Sequence, residues 1–276
     1  MENKLRIKVL HVAPLPPPLG GMVTYIQGLL NSAVFKKIDY KVVRLNYINK
    51  ENYKGVVRLF INLLNTTVLT SVFIVKTITW HPDIVHIQSN SGFGYFEKSW
   101  IALLAKGLGC KTIFHFHGGN FLNFYKESTK FRRKLIKQLA LINNRVLTGS
   151  PQMKSNWSDI GIPEKKIVYI GNAVNIPDLS SKQFHNSVNI LFLTRIVLEK
   201  GIIELIDAFL QLKLSYTNLN LRIVGVESLD APIIKEHLRS NDLKRSIEYI
   251  GPVTDEQKHL EYLNADIFAF PTYFED

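Results

Sequence analysis

Short apolar runs alternate along the chain with longer segments in which apolar residues recur every three or four positions. The short runs predict strands buried on both faces, and the longer segments predict amphipathic helices. In the first part of the chain the pattern predicts strands at residues 5–12, 40–45, 84–87, 111–116, 146–148 and 167–170. The helices predicted between them lie at residues 22–31, 56–79, 94–108, 130–143 and 152–160.

A second series of the same kind follows, with strands predicted at residues 190–193, 221–224, 247–249 and 267–270. Its helices are predicted at residues 202–212, 233–239 and 256–262. The segment 173–189 between the two series lacks apolar periodicity, so we expect an N-terminal domain at 1–172, a linker at 173–189 and a second domain at 190–276. Strands that alternate with helices predict parallel sheets, because parallel neighbours need crossover helices. The expected fold is therefore α/β, with two doubly wound domains facing a cleft and ligands beyond the carboxyl ends of the strands.

One apolar segment, residues 59–75, has to be weighed as a membrane span. It is shorter than the roughly 20 apolar residues that a span needs, and it contains two Asn, three Thr and one Ser. We therefore favour a helix packed against the sheet. The N-terminal apolar run is interrupted by Arg6 and Lys8, so no secretion signal is expected. The single cysteine, Cys110, fits a reducing compartment.

Charge is distributed unevenly between the two predicted domains. Residues 1–172 carry 24 Lys and Arg against 8 Asp and Glu, a balance of +16, while the remaining residues carry 10 against 15, a balance of −5. Such asymmetry indicates an anionic partner for the first domain, either nucleic acid or the acidic face of a membrane, or a basic surface that is only solvated.

The segment 126–142 is the strongest candidate for the basic surface. Four cations share one helical face: Lys130, Arg133, Lys134 and Lys137. Four apolar residues share another: Phe131, Leu135, Leu139 and Ile142. A basic amphipathic helix suits a peripheral membrane contact, and an ordinary helix docked on a sheet with its solvated face outward fits the pattern equally well.

Two loops that directly follow strands carry candidate chemistry in the first domain. Gly20 and Gly21 separate a strand from a helix, where glycines let backbone N–H groups approach a phosphate, although two adjacent glycines also form ordinary turns. His117 lies at the mouth of the strand 111–116, where it either approaches a ligand or caps a turn. His115 and His117 on one strand are too few ligands for a zinc site.

In the second domain, Lys200 and Gly201 fall where the helix 202–212 begins. A cation is misplaced at a helix start, because the first turn carries free N–H groups and partial positive charge. Either Glu199, Glu204 and Asp207 hold this lysine at the surface, or Arg195, Lys200 and the helix N-terminus converge on a phosphate-bearing ligand.

The strings Thr194-Arg195, Glu199-Lys200-Gly201 and Asp207-Ala208-Phe209 resemble the donor-phosphate signature of the retaining family 4 glycosyltransferases. That family has the GT-B fold of two Rossmann-like domains. The resemblance continues in the family's order through further short motifs: Gly20-Gly21, His117-Gly118-Gly119, Gly149-Ser150, Gly171-Asn172-Ala173, Val224-Gly225, Gly251 and residues 265–271.

This resemblance implies transfer of a sugar, with retention, from a nucleotide sugar to an acceptor glycan or a lipid-linked phosphate. It implies that Arg195, Lys200 and Gly201 bind the donor diphosphate, and that Gly20 and Gly21 form the acceptor or phosphate loop. His117 and Glu275 are the implied catalytic residues. No cofactor, metal or nucleic acid is expected. We expect a cytoplasmic protein on the inner face of the plasma membrane. The expected pathway is the synthesis of a bacterial cell-surface polysaccharide or glycolipid. The residues expected to face the membrane are Lys130, Arg133, Lys134 and Lys137.

Two departures from the family pattern matter. Gly225-Val226-Glu227 stands where the family has Gly-x-Gly, and the second glutamate expected eight positions after Glu275 falls beyond Asp276. We therefore expect a C-terminally truncated chain whose incomplete second domain exposes apolar edges. The alternatives are an inactive remnant, a basic module that binds lipid or nucleic acid, and a nucleotide-sugar epimerase or phosphorylase on the same fold.

Overall fold

The structure of the protein is a computed structural model that describes residues 6–16, 20–32, 37–45, 55–118, 121–172, 186–228, 230–239 and 246–273. The chain forms two compact units, each built on a parallel sheet flanked by helices. This confirms the α/β class predicted from the alternation of strands and helices. Most of the predicted linker, residues 173–185, lies outside the described residues.

The first unit contains a six-stranded parallel sheet in the order β2-β1-β3-β4-β5-β6. Its strands are β1 (Lys8–Ala13), β2 (Asp39–Arg44), β3 (Ile84–Ser89), β4 (Lys111–Phe116), β5 (Arg145–Thr148) and β6 (Ile167–Tyr169). Its helices are α1 (Gly21–Asn31), α2 (Gly55–Trp80), α3 (Phe93–Gly107), α4 (Phe121–Lys126), α5 (Lys130–Leu141) and α6 (Pro151–Asp159).

One face of this sheet carries the larger hydrophobic core. Leu10, Val12, Phe114 and Phe116 are fully buried there, against side chains of α2 to α6. Aromatic rings fill the centre of the layer, with Trp157 stacked on Phe121 at a centroid distance of 4.1 Å. The other two tryptophans also belong to this unit: Trp80 ends α2, and Trp100 is exposed on α3.

Helix α2 buries only one side of a long apolar sequence. Every fourth residue from Ile61 to Thr77 is buried, and the Lys76 ammonium donates to the Val42 carbonyl of β2 at 2.7 Å. This is the packing against the sheet that the sequence predicted. Eight large apolar residues remain exposed: Val56, Val57, Leu59, Phe60, Leu63, Leu64, Val75 and Ile78. By length and composition alone, α2 is also long and apolar enough to cross a membrane.

The second unit contains a four-stranded parallel sheet, within the described residues, in the order β10-β7-β8-β9. Its strands are β7 (Val188–Leu193), β8 (Leu219–Val224), β9 (Ile247–Gly251) and β10 (Ile267–Phe268). Its helices are α7 (Ile202–Ser215), α8 (Ala231–Arg239) and α9 (Asp255–Asn264). Strand β7 begins two residues earlier than predicted, because Val188 and Asn189 pair in register with the start of β8.

Helix α9 is held by its own N-terminal cap and by a contact with β8. Helix α9 begins with a capping box, in which Thr254 and Gln257 each accept a hydrogen bond from the other's backbone N–H. It is fastened to β8 by Arg222, whose Nε and Nη2 donate to the two Glu261 carboxylate oxygens at 2.8 and 2.9 Å.

Strand β10 is shorter than predicted and has Ile267 and Phe268 about half exposed, at 49% and 48%.

Candidate functional site

The carboxyl ends of the first sheet place the glycine loop and His117 on one rim. Gly20 caps α1, which is the first helix after β1, and His117 continues β4 by donating its backbone N–H to the Ser89 carbonyl at 2.9 Å. Gly20 and Gly21 are exposed, and a Cβ at either would meet no atom within 4 Å. Neither glycine is therefore required by the described structure itself.

A row of imidazoles, which the sequence reading missed, crosses the other face of the first sheet. His11, His86 and His115 each stand between two core residues of a strand, so their side chains point away from the core. The ring centroids of His11 and His86 are 4.9 Å apart, and those of His86 and His115 are 5.5 Å apart. His117 extends the row, with its ring 4.1 Å from that of His115.

Helix α1 covers this histidine row through Tyr25, whose ring lies 5.2 Å from His115 and 5.0 Å from His117. Burial lowers the pKa of His115 to about 3 and the pKa values of His11 and His117 to about 4. Burial, with the neighbouring histidines, holds the pKa of His86 well below its usual value. All four rings are therefore neutral at neutral pH. The register of β1, β3 and β4 was needed to find the row, since it places His11 beside His86.

In the second unit, the loop after β7 is held by the loop after β8. Ile196 donates its N–H to the Val226 carbonyl at 2.9 Å, and the Leu198 N–H donates to Asp230 Oδ2 at 3.1 Å. Gly225 has φ +155°, and a Cβ there would lie 1.6 Å from the Thr194 carbonyl oxygen. A glycine is thus required at position 225 by the close approach of these two loops.

The structure shows the contacts of Glu227, which stands where the family pattern has its second glycine. Glu227 forms a parallel bridge with Ile196, and its carboxylate lies 2.5 Å from Lys235 Nζ on α8. The side chain at position 227 is therefore engaged with α8.

Arg195 lies in the loop that follows β7, and Lys200 and Gly201 lie where that loop meets the start of α7. Arg195 is exposed and forms no hydrogen bond or ion pair within the part of the chain that the structure describes. The Lys200 ammonium lies 5.1 Å from the centroid of the Phe270 ring, a cation–π geometry. Gly201 caps α7 in the left-handed region, at φ 71° and ψ 27°.

Two of the three carboxylates expected to hold Lys200 at the surface have other partners. Asp207 lies 2.7 Å from His237 Nε2, and Glu204 accepts a hydrogen bond from the Tyr273 hydroxyl. Lys200 has no ion pair among the described residues. Glu204 and Asp207 therefore do not neutralise Lys200, and a phosphate-binding role for this helix start stays a prediction.

The predicted site residues fall into two groups, one on each unit. His117, Gly20 and Gly21 belong to the first, and Arg195, Lys200 and Gly201 to the second. Glu275 and Gly119 lie outside the described residues. No group of three or more His, Cys, Asp or Glu side chains that could hold a metal ion occurs among the residues that the structure describes.

The surface of the basic helix α5 differs in part from the one predicted. Its buried residues are Ile136 and Ala140, and the Tyr95 hydroxyl donates to the Ile136 carbonyl at 2.7 Å. Of the four apolar residues expected on the docked face, Leu139 and Ile142 are partly buried against the core, whereas Phe131 and Leu135 are exposed.

The four cations of α5 are not equivalent. Lys130 and Lys134 are exposed, whereas Lys137 and Arg133 are half-buried. Arg133 donates from Nε to the Ser128 carbonyl at 2.9 Å and lies over the Tyr125 ring. The exposed surface of α5 is therefore both cationic and apolar.

Two family models match the chain. The model described as Glycosyltransferase Family 4 matches residues 19–177, and the model described as Glycosyl transferases group 1 matches residues 179–276. A comparison with curated proteins found no match.

Several solved structures share the fold of the chain. Anabaena HepE in complex with UDP and glucose is 14% identical, with TM-score 0.63, over 96% of this chain and 74% of that one. The catalytic domain of Arabidopsis thaliana starch synthase IV, bound to ADP and acarbose, is 14% identical, with TM-score 0.68, over 98% and 79%. UDP-GlcNAc 2-epimerase from Neisseria meningitidis, bound to UDP-GlcNAc, is 17% identical, with TM-score 0.59, over 95% and 77%. All three likenesses are likenesses of fold.

Proposed function

The chain belongs to glycosyltransferase family 4, a family of retaining enzymes with nucleotide-sugar donors, and from this premise we propose that it takes a UDP- or ADP-linked sugar. The acceptor is a hydroxyl or phosphate group in the synthesis of a bacterial cell-surface polysaccharide or glycolipid. UDP and ADP are the nucleotides bound in the HepE and starch synthase structures, which supports this choice of donor.

The observation that supports the donor site is that the loop between β7 and α7 carries two cations. Arg195 is exposed and without a partner among the described residues, and Lys200 is held by an aromatic ring instead of a carboxylate. The first turn of α7 adds backbone N–H groups and the positive end of a 14-residue helix. Two cations and a helix N-terminus together suit a diphosphate.

The chemistry follows from this placement. The bond between the anomeric carbon and the diphosphate oxygen breaks, and the acceptor oxygen forms the new bond to the same carbon as its proton is released. Negative charge develops on the departing diphosphate, where Arg195, Lys200 and the N-terminus of α7 stabilise it. His117, neutral at neutral pH, helps to orient the sugar, and Gly20 and Gly21 leave open surface beside the acceptor. Glu275 contacts the donor.

Calorimetric titration with UDP and ADP tests this assignment. Arg195→Ala and Lys200→Ala should each weaken binding by about 1.5–3 kcal/mol, because each removes a charged hydrogen bond. Arg239→Ala is the matched control, since this exposed arginine ends α8 and does not belong to the loop between β7 and α7. Unchanged affinity in both site variants would sink the assignment.

The alternative reaction on this fold is epimerisation of the nucleotide sugar. The fold likeness to an epimerase does not separate the two reactions, whereas the match of the family models favours transfer. Incubation of the protein with UDP-glucose alone distinguishes them. A transferase releases UDP slowly by hydrolysis, and an epimerase produces a second UDP-sugar without releasing UDP.

For the acceptor side, we infer a peripheral contact between the first unit and an anionic cytoplasmic membrane surface. The support is the balance of +16 in residues 1–172, together with exposed apolar side chains on α2 and α5. Helix α3 contacts both α2 and α5, so the three helices lie on the same face of the sheet. Lysines beside exposed Phe131 and Leu135 suit lipid head groups and the adjoining acyl region.

Vesicle flotation tests this contact. The protein should bind vesicles of phosphatidylcholine with phosphatidylglycerol more tightly than phosphatidylcholine alone, and less so at high salt. Lys130→Glu with Lys134→Glu should weaken binding, as should Phe60→Ser with Leu63→Ser, whereas the exposed control Lys165→Glu should change it little. Equal binding by all variants, or a concentration-dependent dimer through α2 seen by light scattering, would contradict the inference.

A further inference from the structure

Gln88 is a fully buried amide that joins the histidine row to His117. It is the second-last residue of β3, on the sheet face covered by α1, and its side chain is 0% exposed. Its Oε1 lies 2.5 Å from His117 Nε2, and its Nε2 lies 3.2 Å from His86 Nε2. The oxygen and the nitrogen of the amide therefore each form a hydrogen bond, and each bonds to a different imidazole.

The chemistry of an amide fixes the protons on both rings. The amide oxygen only accepts hydrogen bonds, so His117 Nε2 must carry a proton. The amide nitrogen only donates, so His86 Nε2 must be an acceptor, and the proton of neutral His86 sits on Nδ1. A single buried glutamine thus assigns opposite tautomers to the two histidines.

The ring of His117 is further restrained on its faces. It stacks on His115 at 4.1 Å, with 27° between the planes, and it lies 5.0 Å from the Tyr25 ring. Burial lowers the pKa of His117 to about 4, so the ring is neutral under ordinary conditions. A neutral ring whose Nε2 carries the proton has one acceptor left, Nδ1.

We propose that Gln88 is a positioning residue that holds His117 in the Nε2–H tautomer and so presents Nδ1 as an acceptor to a hydroxyl group of the donor sugar. This inference rests on the proposed role of His117 in the donor site. Gln88 itself does not touch the sugar. A glutamine at this place therefore selects for a hydrogen-bond donor on the ligand.

Long-range ¹H–¹⁵N NMR of the ¹⁵N-labelled full chain tests the tautomer without any ligand. His117 should show the Nε2–H pattern in the wild type and a mixture of tautomers in Gln88→Met, which lacks the acceptor. Gln88→Glu keeps the acceptor, so it should restore the Nε2–H pattern and raise the pKa of His117. An Nδ1–H pattern in the wild type, or no change in Gln88→Met, would overturn the proposal.

Binding of UDP and UDP-glucose then separates this proposal from the proposed function. Gln88→Met should weaken UDP-glucose roughly three- to tenfold and leave UDP unchanged, since only the sugar meets His117. The exposed glutamine variant Gln152→Met should alter neither. Equal weakening of both ligands would contradict the positioning role. Failure of the wild type to bind either ligand would count against the donor site, and the tautomer measurement would still decide the role of Gln88.

Discussion

The carbonyl oxygen of Pro271 occupies the space that a side chain on Gly201 would need. A Cβ at Gly201 would lie 2.0 Å from that oxygen, and the residue also has φ +71°. Pro271 belongs to the loop that follows β10, and the Tyr273 N–H in this loop donates to the Glu199 carbonyl at 3.1 Å. Gly201 is therefore what allows the loop after β10 to pack against the start of α7.

We expect Gly201→Ala to lower the free energy of unfolding of the second unit by about 1–3 kcal/mol and to weaken UDP binding. The new methyl group must displace the Pro271 loop, which carries Phe270 beside Lys200. Urea titration and calorimetry measure the two effects. Gly251→Ala is the control, because Gly251 also has positive φ (+83°) but open space at Cβ. Equal losses in the two variants would show that backbone strain alone is responsible.

Gly21→Ala should leave the fold intact and impair the enzyme. Gly21 is the first residue of α1, and alanine there favours the helix by up to about 1 kcal/mol. Any loss in the rate of UDP release from UDP-glucose would then come from the methyl group facing a ligand. Gly28→Ala, in the middle of the same helix and also open, should give a similar gain in stability without loss of rate. Full activity of Gly21→Ala would show that the loop of Gly20 and Gly21 does not contact the ligand.

The histidine row should make the stability of the first unit depend on pH. The pKa values of His11, His115 and His117 are depressed to between about 3 and about 4, so below pH 6.5 the unfolded chain binds more protons than the folded one. Stability is therefore full above about pH 6.5 and falls as the pH is lowered toward 4, by about 1.4 kcal/mol per pH unit for each such residue.

Urea titrations followed by circular dichroism at pH 7.5, 6 and 5 check this slope. His115→Gln removes one buried titratable ring whose neighbours are His86, His117 and Tyr25, so it should flatten the dependence. The same change at exposed His259 should not. A wild-type stability that is constant from pH 7.5 to 5 would contradict the account.

The bidentate pair between Arg222 and Glu261 should matter more than the pair that the same arginine makes with Glu248. The Glu261 side chain is 11% exposed and that of Glu248 is 64% exposed. Glu261→Gln should cost about 1–3 kcal/mol of unfolding free energy, and Glu248→Gln less than about 1 kcal/mol, because solvent screens the exposed carboxylate. Thermal unfolding of the two variants side by side makes the comparison, and equal losses would contradict it.

Local sequence signals were sufficient for most of the fold. Strand β4 has the bounds that its apolar run predicted, and α7 begins at the predicted residue, Ile202. Helix α4 was missed, because its aromatic residues Phe121 and Phe124 take their order from packing against Trp157 and Tyr95, which are distant in sequence. Patterns of period two or 3.6 contain no information about such contacts.

The candidate site likewise has features that local sequence signals predict and features that depend on contacts between distant residues. The position of Lys200 at a helix start followed from apolar spacing alone, and the structure places it there. The sequence did not predict that the Phe270 ring lies beneath the Lys200 ammonium group. Strands β10 and β7 become neighbours only when the sheet forms. The histidine row and its link through Gln88 depend in the same way on the register of three strands.

The placement of the tryptophans gives the protein a built-in optical reporter. Trp80, Trp100 and Trp157 all belong to the first unit, and they are the only three in the sequence. Tryptophan emission therefore follows the melting of the first unit, whereas far-ultraviolet dichroism follows both. A nucleotide bound only at the start of α7 should raise the melting point seen by dichroism more than the one seen by emission, so two spectrometers can assign a ligand to its unit without mutation.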